Sequence, residues 1–406
     1  MIPYGRQWID EDDIKAVVGV LKSDWLTQGP VVNILEKALA EYCGAKYAVA
    51  VSSGTAALHL TCLAAGIKDG DEVVTSPITF VASANCLLYC GGKSVFADID
   101  KDTYNIDPAE IKKKITKKTR AIIPVHFAGL PCDMEAIKKI AEEYDLMIIE
   151  DACHALGAEY RIQNSGLRTN EEWIKVGSCS HSDMTVFSFH PVKHITTGEG
   201  GAVLTNNEKL YEKLLLFRNH GITKNPEKFT NKDLAFSHNP ESLIHNPNPW
   251  YYEMQELGFN YRLTDIQCAL GLSQLNKLDK FVAKRRDIAS LYSEAFKKIE
   301  CIKTPVELET KKSAYHLYVL QIDFEKIGKS RDRVMIELME AGIGTQVHYI
   351  PVYMQPYYGN ERNYKKQRCT VAEQYYSKAL SMPLYPKMTD VEVTKVINSV
   401  KGCLNV

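Results

Sequence analysis

The chain's 406 residues carry 49 basic and 50 acidic side chains, a net charge of −1, and 45% of them are hydrophobic. So even a balance creates no long-range field to gather nucleic acid, and no apolar run approaches the roughly 20 residues needed to cross a bilayer. The eleven cysteines are scattered without a CxxC pair and the start has no signal-peptide pattern, so free thiols, no metal site and a cytoplasmic location are expected.

After a short arm, Asp10 to Lys22 reads as an amphipathic helix, with Ile14, Val17, Val18 and Leu21 on one face and acids in its first turn. The loop from Ser23 to Pro30 holds Trp25 and Leu26, side chains that either pack on a neighbour or line a ligand pocket. From Tyr47 short β-branched runs alternate with helical periods: YAVAV before SSGTAALHLTCLAAG, EVVTS before PITFVASANCLLYCG, then SVFADI, RAIIPV and LMIIED. That rhythm predicts a mostly parallel sheet flanked by helices, a large α/β domain over 1–262. Within it, the polar insertion from Arg161 to Ser182 and a Pro- and Asn-rich flap over 226–250 break the pattern. Residues 263–299 predict one long linking helix, interrupted only lightly at Gly271. A smaller α+β C-terminal domain is expected over 300–406, with strands HLYVLQID and TQVHYI around the helix RDRVMIELMEAG and two terminal helices.

Ligands of such sheets bind beyond the carboxyl ends of the strands, so Ser52–Thr55, Ser76–Phe80, Val125–Gly129, Asp151–His154 and Ser188–Lys193 should meet in space. In MTVFSFHPVKHITTGEGG, alternation places Phe187 and Phe189 on one face and Ser188 and His190 on the other, and delivers Lys193 just past the strand end. That lysine is either a solvated surface amine or, once partly desolvated, a nucleophile. Ser53, Gly54 and Thr55 open a helix, where free amides, hydroxyls and the positive helix end make an anion cradle or an ordinary serine cap. A carboxylate buried at Asp151 needs a cation such as a protonated ring nitrogen, whereas an exposed one is only a cap. His154 addresses the same ring or fills the core, and Phe80 stacks on a ring or packs inside. Taken together, phosphate, stacked ring, ring nitrogen and aldehyde describe pyridoxal 5'-phosphate.

SSGTAALHL, EDACHALGAEY, FSFHPVKHITTGEGGAVLT and GFNYRLTDIQCALGLSQL resemble segments of the DegT/DnrJ/EryC1/StrS sugar-nucleotide aminotransferases, a family of fold-type I pyridoxal phosphate-dependent transferases. The resemblance runs nearly end to end. It implies Lys193 as the Schiff-base lysine and proton shuttle, Asp151 on the pyridinium nitrogen, Phe80 stacked on the ring and His154 near the ring hydroxyl. Ser53, Gly54, Thr55 and Ser188 would hold the phosphate, joined by Asn260 from a second copy, so a homodimer with shared active sites is expected. The glycines after Lys193 would let the loop approach that second copy.

LTQGP, the insertion, the flap and VHYIPVYMQPYY resemble the pseudaminic acid branch of the family, which aminates C4 of a UDP-linked 2-acetamido-2,6-dideoxy-4-keto-hexose with L-glutamate as donor. Trp25, Leu26, Thr27, His348 and Tyr349 are the substrate contacts this branch implies. Another UDP-, dTDP- or GDP-linked keto-sugar is the alternative substrate, and a cofactor- or nucleotide-sugar-binding regulator is the non-enzymatic one. A sister branch that dehydrates sugars has histidine in place of the lysine, and Lys193 argues against it. No GxGxxG follows an early strand, Leu87 stands where a P-loop before Gly92-Lys93-Ser94 needs glycine, and there is no HExxH.

Overall fold

The computed structural model describes residues 1–161, 173–236, 248–360, 364 and 367–405. Much of the polar insertion and of the flap expected from the sequence lies outside the described residues.

Asp10 starts α1 (Glu11–Leu21) through a reciprocal capping box with Asp13. The next helix, α2 (Pro30–Cys43), has no side chain of its own to cap it; the buried carboxylate of Asp265 accepts from the Gly29 and Val31 amides at 2.8 and 3.0 Å instead. The alternation then follows as β1 (Tyr47–Val51), α3 (Gly54–Ala64), β2 (Glu72–Thr75), α4 (Ala82–Tyr89), β3 (Lys93–Phe96), α5 (Pro108–Lys114), β4 (Thr119–Ile123), α6 (Met134–Tyr144) and β5 (Met147–Asp151). Two short strands, β6 (Glu159–Tyr160) and β7 (Ile174–Lys175), precede β8 (Met184–Ser188), β9 (Gly201–Thr205) and α7 (Glu208–Arg218).

The main sheet has seven strands in the order β1-β9-β8-β5-β4-β2-β3. Its junctions from β3 to β8 are parallel, while β9 is antiparallel to both β8 and β1. Both faces are covered, as crossover helices require. Ala50, Val74, Ile122 and Phe187 pack with α2 and α6 on one side, and Val49, Val73, Ile123 and Val186 with α3, α4 and α7 on the other.

Beyond α7, β10 (Ile222–Thr223) and β11 (Glu253–Met254) pair as a ribbon, with α8 (Lys232–Ala235) between them in sequence. The stretch expected to be one long helix is two, α9 (Asp265–Leu275) and α10 (Leu278–Phe296). The break falls where Lys277 is drawn onto Asp10 and Asp13 of the first helical segment. It lets α9 stay on the first core while α10 carries Ile288, Tyr292 and Phe296 into a second one. That second core lies on β12 (Ile302–Lys303), β14 (Tyr318–Ile322) and β15 (Ala379–Met382), whereas β13 (Lys311–Lys312) joins β6 and β7.

The final helices are α11 (Arg331–Glu340), α12 (Pro356–Asn360), α13 (Thr370–Lys378) and α14 (Asp390–Leu404). TQVHYI, expected to be a strand, bridges β15 through its backbone at Gln346 alone, and beyond that keeps only a side-chain contact, His348 Nδ1 2.8 Å from Ser381 Oγ. The edge of β14 that it would occupy is taken by β15, a strand between the terminal helices that the sequence pattern missed. Freed from the sheet, His348 and Tyr349 turn toward the carboxyl edge of the main sheet, and Val352 N–H donates to the Pro77 carbonyl there at 2.9 Å. All eleven cysteines are free thiols, and no described helix is long and apolar enough to cross a membrane.

Candidate active site

Since β9 is antiparallel to both neighbours, β1 points the same way as β8, and the carboxyl ends of β1, β2, β4, β5 and β8 share one edge. Residues at or just beyond the ends of these strands line a single cavity of about 450 Å³: Ser53, Gly54 and Thr55; Thr79 and Phe80; Val125; Asp151, Cys153 and His154; and Ser188, His190 and Lys193. The sheet thus brings together the strand-end residues that the sequence nominates.

Ser53 caps α3 by accepting from Ala56 N–H at 3.0 Å, and the first-turn amides of Gly54 and Thr55 have no carbonyl within the helix to meet. Gly54 is required here, because a Cβ would lie 2.8 Å from Cβ of Ser188. Gly201, at the start of β9, is equally constrained: a Cβ there would lie 2.7 Å from the Ser53 carbonyl group. It therefore serves the close approach of β9 to the cradle of its own chain, a role different from contact with a second copy.

Asp151 is 4% exposed. Ser83 Oγ donates to its Oδ2 at 2.5 Å and the Cys153 amide to its Oδ1 at 3.1 Å; Thr79 Oγ1 lies 2.7 Å from Ser83 Oγ, extending the chain. Phe80 is 58% exposed, an unusual state for a phenylalanine, and presents its ring to the cavity. Lys193 is half-buried, and desolvation holds its amine below the ordinary lysine range; the neighbouring Cys153 and Asp151 oppose that shift and Arg285 reinforces it. Burial pushes His154, His194 and His316 well below the histidine range, and His348 down to about 3. The site is therefore a carboxylate and an amine surrounded by neutral imidazoles.

His348 and Tyr349 also line the cavity. Trp25, Leu26 and Thr27 do not: they are exposed, held on the α9 side by a bridge from Thr27 to Thr264 and by Asp265 N–H on the Leu26 carbonyl at 3.1 Å. Asn260 is exposed too and pairs with Asn219 away from the cavity of its own chain. A larger, more open groove of about 830 Å³ runs past Gln28, Arg218 and Arg262, away from the strand ends that carry the reactive groups. The sequence reading missed Tyr4, Ser83, Glu199 and His316, all of which line the site. No local signal marks Ser83: Thr79 precedes α4, so the four-residue spacing of the two hydroxyls is not that of one helical face.

Cradle, carboxylate and half-buried lysine at the carboxyl edge of such a sheet mark an enzyme that handles a phosphorylated aldehyde. More specifically, the chain belongs to the DegT/DnrJ/EryC1/StrS aminotransferase family, whose model matches residues 7–401. It is 40% identical over 401 residues to the spore coat polysaccharide biosynthesis protein SpsC of Bacillus subtilis, covering 98% of this chain and 96% of that one. It is also 40% identical over 391 residues to the UDP-4-amino-4,6-dideoxy-N-acetyl-beta-L-altrosamine transaminase of Campylobacter jejuni, covering 96% and 93%. Among solved structures, Helicobacter pylori PseC, an aminotransferase involved in the biosynthesis of pseudoaminic acid, superposes with a TM-score of 0.86 at 33% identity, covering 100% of this chain and 99% of that one.

Family and fold make this chain a sugar aminotransferase that depends on pyridoxal 5'-phosphate. The residues present fit that cofactor in kind: amides and hydroxyls for a phosphate, a carboxylate for a ring nitrogen, an amine for an aldehyde. Because the cradle has no space for a methyl group at residue 54, Gly54→Ala should weaken cofactor binding by about tenfold or more, read by equilibrium dialysis. Unchanged affinity would show that the phosphate lies elsewhere.

Proposed function

We propose that the enzyme moves the amino group of L-glutamate to C4 of a nucleotide-linked 4-keto-6-deoxy sugar. The preferred substrate is UDP-2-acetamido-2,6-dideoxy-β-L-arabino-hexos-4-ulose, giving UDP-4-amino-4,6-dideoxy-N-acetyl-β-L-altrosamine. The observation that carries the reading is the convergence of Lys193, Asp151 and the Ser53 to Thr55 turn on one cavity. The sugar is supported by the likeness to the Campylobacter transaminase and to PseC. Equal identity to the spore coat polysaccharide biosynthesis protein favours a second reading, another UDP-, dTDP- or GDP-linked keto-sugar on the same chemistry.

When bound, pyridoxal phosphate supplies an aldehyde that takes up the amino group and a ring that draws electron density from the carbon losing a proton. Lys193 would hold the aldehyde carbon until the donor's amino group displaces it, and the freed, desolvated amine would take the proton from the donor's α-carbon. With the sugar bound, the same amine delivers a proton to C4. Asp151, oriented by Ser83 and the Cys153 amide, keeps the ring nitrogen protonated. Phe80 would stack on the ring and His154 would lie at its hydroxyl. Ser53, Gly54, Thr55 and Ser188 hold the phosphate, together with Asn260 of the partner subunit, while His348 and Tyr349 contact substrate.

The positions of the remaining residues support a homodimer. Asn260 and the segment Trp25, Leu26 and Thr27 are exposed in neighbouring parts of one chain, joined through Thr27 and Thr264, and so can reach a second copy's cavity together. The eleven free thiols support a cytoplasmic setting.

Two experiments test the reading. Offered a panel of UDP- and dTDP-linked 4-keto-sugars, the pyridoxamine phosphate form should revert to the aldehyde form fastest with the 2-acetamido-2,6-dideoxy-L-arabino substrate. Faster reversion with another sugar would move the assignment to the second reading. Mixing Asn260→Ala with Lys193→Ala subunits should restore about a quarter or less of wild-type activity if the phosphate site crosses the dimer, since only one of two sites per mixed dimer is intact. No rescue after verified subunit exchange would place Asn260 outside the site.

A further inference from the structure

Tyr349 places its hydroxyl 3.2 Å from Nε2 of His154. That histidine is 4% exposed, and its other ring nitrogen, Nδ1, has no hydrogen-bond partner among the described residues. Buried polar atoms without partners are rare because they forfeit hydration for nothing, and one at a ligand cavity points to an atom the ligand supplies.

The groups facing the pair settle its protonation. Burial first, then Lys193, His348 and His194, holds His154 in its neutral form near pH 7, and the ring of His316 lies 4.3 Å away, itself neutral. Burial, with Tyr4, Asp151 and Cys153 nearby, keeps the Tyr349 phenol protonated. A neutral imidazole has one donor nitrogen and one acceptor. If the phenol donates to Nε2, the ring proton sits on Nδ1 and one group awaits a partner. If Nε2 donated instead, the phenol's proton and the Nδ1 lone pair would both go unmet. The first arrangement strands fewer polar groups.

We propose that Tyr349 is a positioning residue whose hydroxyl fixes His154 as the Nδ1–H tautomer, making Nδ1–H a donor for the ring hydroxyl oxygen of the cofactor. The inference rests on the cofactor reading given above. A donor to that oxygen stabilises its negative form. The Lys193-bound cofactor then loses its proton at a lower pH than it otherwise would.

The test uses cofactor-loaded enzyme and its visible absorption band, titrated with pH. Tyr349→Phe removes one hydroxyl from a side chain of the same shape and should raise the midpoint by about one pH unit. In a His154→Gln background, where an amide donor needs no tautomer, the same substitution should leave the midpoint where His154→Gln alone puts it. An unmoved midpoint in the single variant overturns the inference. So does an equal shift in both backgrounds, which would mean that Tyr349 touches the cofactor's ring hydroxyl directly instead of acting through His154. A wild type that shows no lysine-bound band with cofactor in excess overturns the cofactor reading and this inference with it, whereas a normal wild-type band with an unmoved midpoint overturns this inference alone.

Discussion

A half-buried amine and a buried carboxylate share one cavity, and the surrounding structure is arranged around the cost of keeping them there. A charge buried without a partner destabilises a protein by several kcal/mol, so such groups persist only where hydrogen bonds or a ligand answer them. Asp151 is answered by Ser83 and the Cys153 amide. Lys193 is desolvated, and the charge of the fully buried Arg285 guanidinium also opposes its protonation. The result is a lysine biased toward the free amine, the form that can bond to a carbonyl carbon and carry protons.

The rest of the fold serves to bring these groups to one edge. The antiparallel strand β9, inserted between β1 and β8, lets the Ser53 to Thr55 turn and Lys193 lie at the same end of the sheet, and Gly201 admits the close approach of β9 to that turn. The second core is tied to the cavity wall by two arginines of α10. Arg285 Nη1 donates to the carbonyls of Tyr315, His316 and Leu384, and Arg286 Nε to that of Ser313 at 2.8 Å. His316, His348 and Tyr349 thus come to the site from a part of the chain that the main sheet does not contain.

Much of this was legible in the sequence, for physical reasons that differ from residue to residue. Strand ends could be read because buried parallel strands are unbroken β-branched runs, so the residue after each run is marked by the change in polarity. Asp151, Ser188 and Lys193 were found that way. Ser83 and His316 were harder, since their importance depends on long-range packing and no local pattern encodes it. The break between α9 and α10 was hidden because Asn276 and Lys277 are ordinary helix residues, and only the ion pairs of Lys277 with Asp10 and Asp13 single that point out. TQVHYI has strand composition, but β15 holds the edge it would need. The loop alone left Trp25 and Leu26 open between packing and pocket lining, and the resemblance made Trp25, Leu26 and Thr27 substrate contacts, yet within one chain they stay on the α9 side.

The most direct measurement is reduction of the cofactor-loaded enzyme with borohydride, followed by mass mapping of the modified peptide. The structure calls for a pyridoxyl group on Lys193, the lysine that shares its cavity with Asp151 and the cradle. A group fixed to any other lysine, or to none with cofactor in excess, would contradict the account.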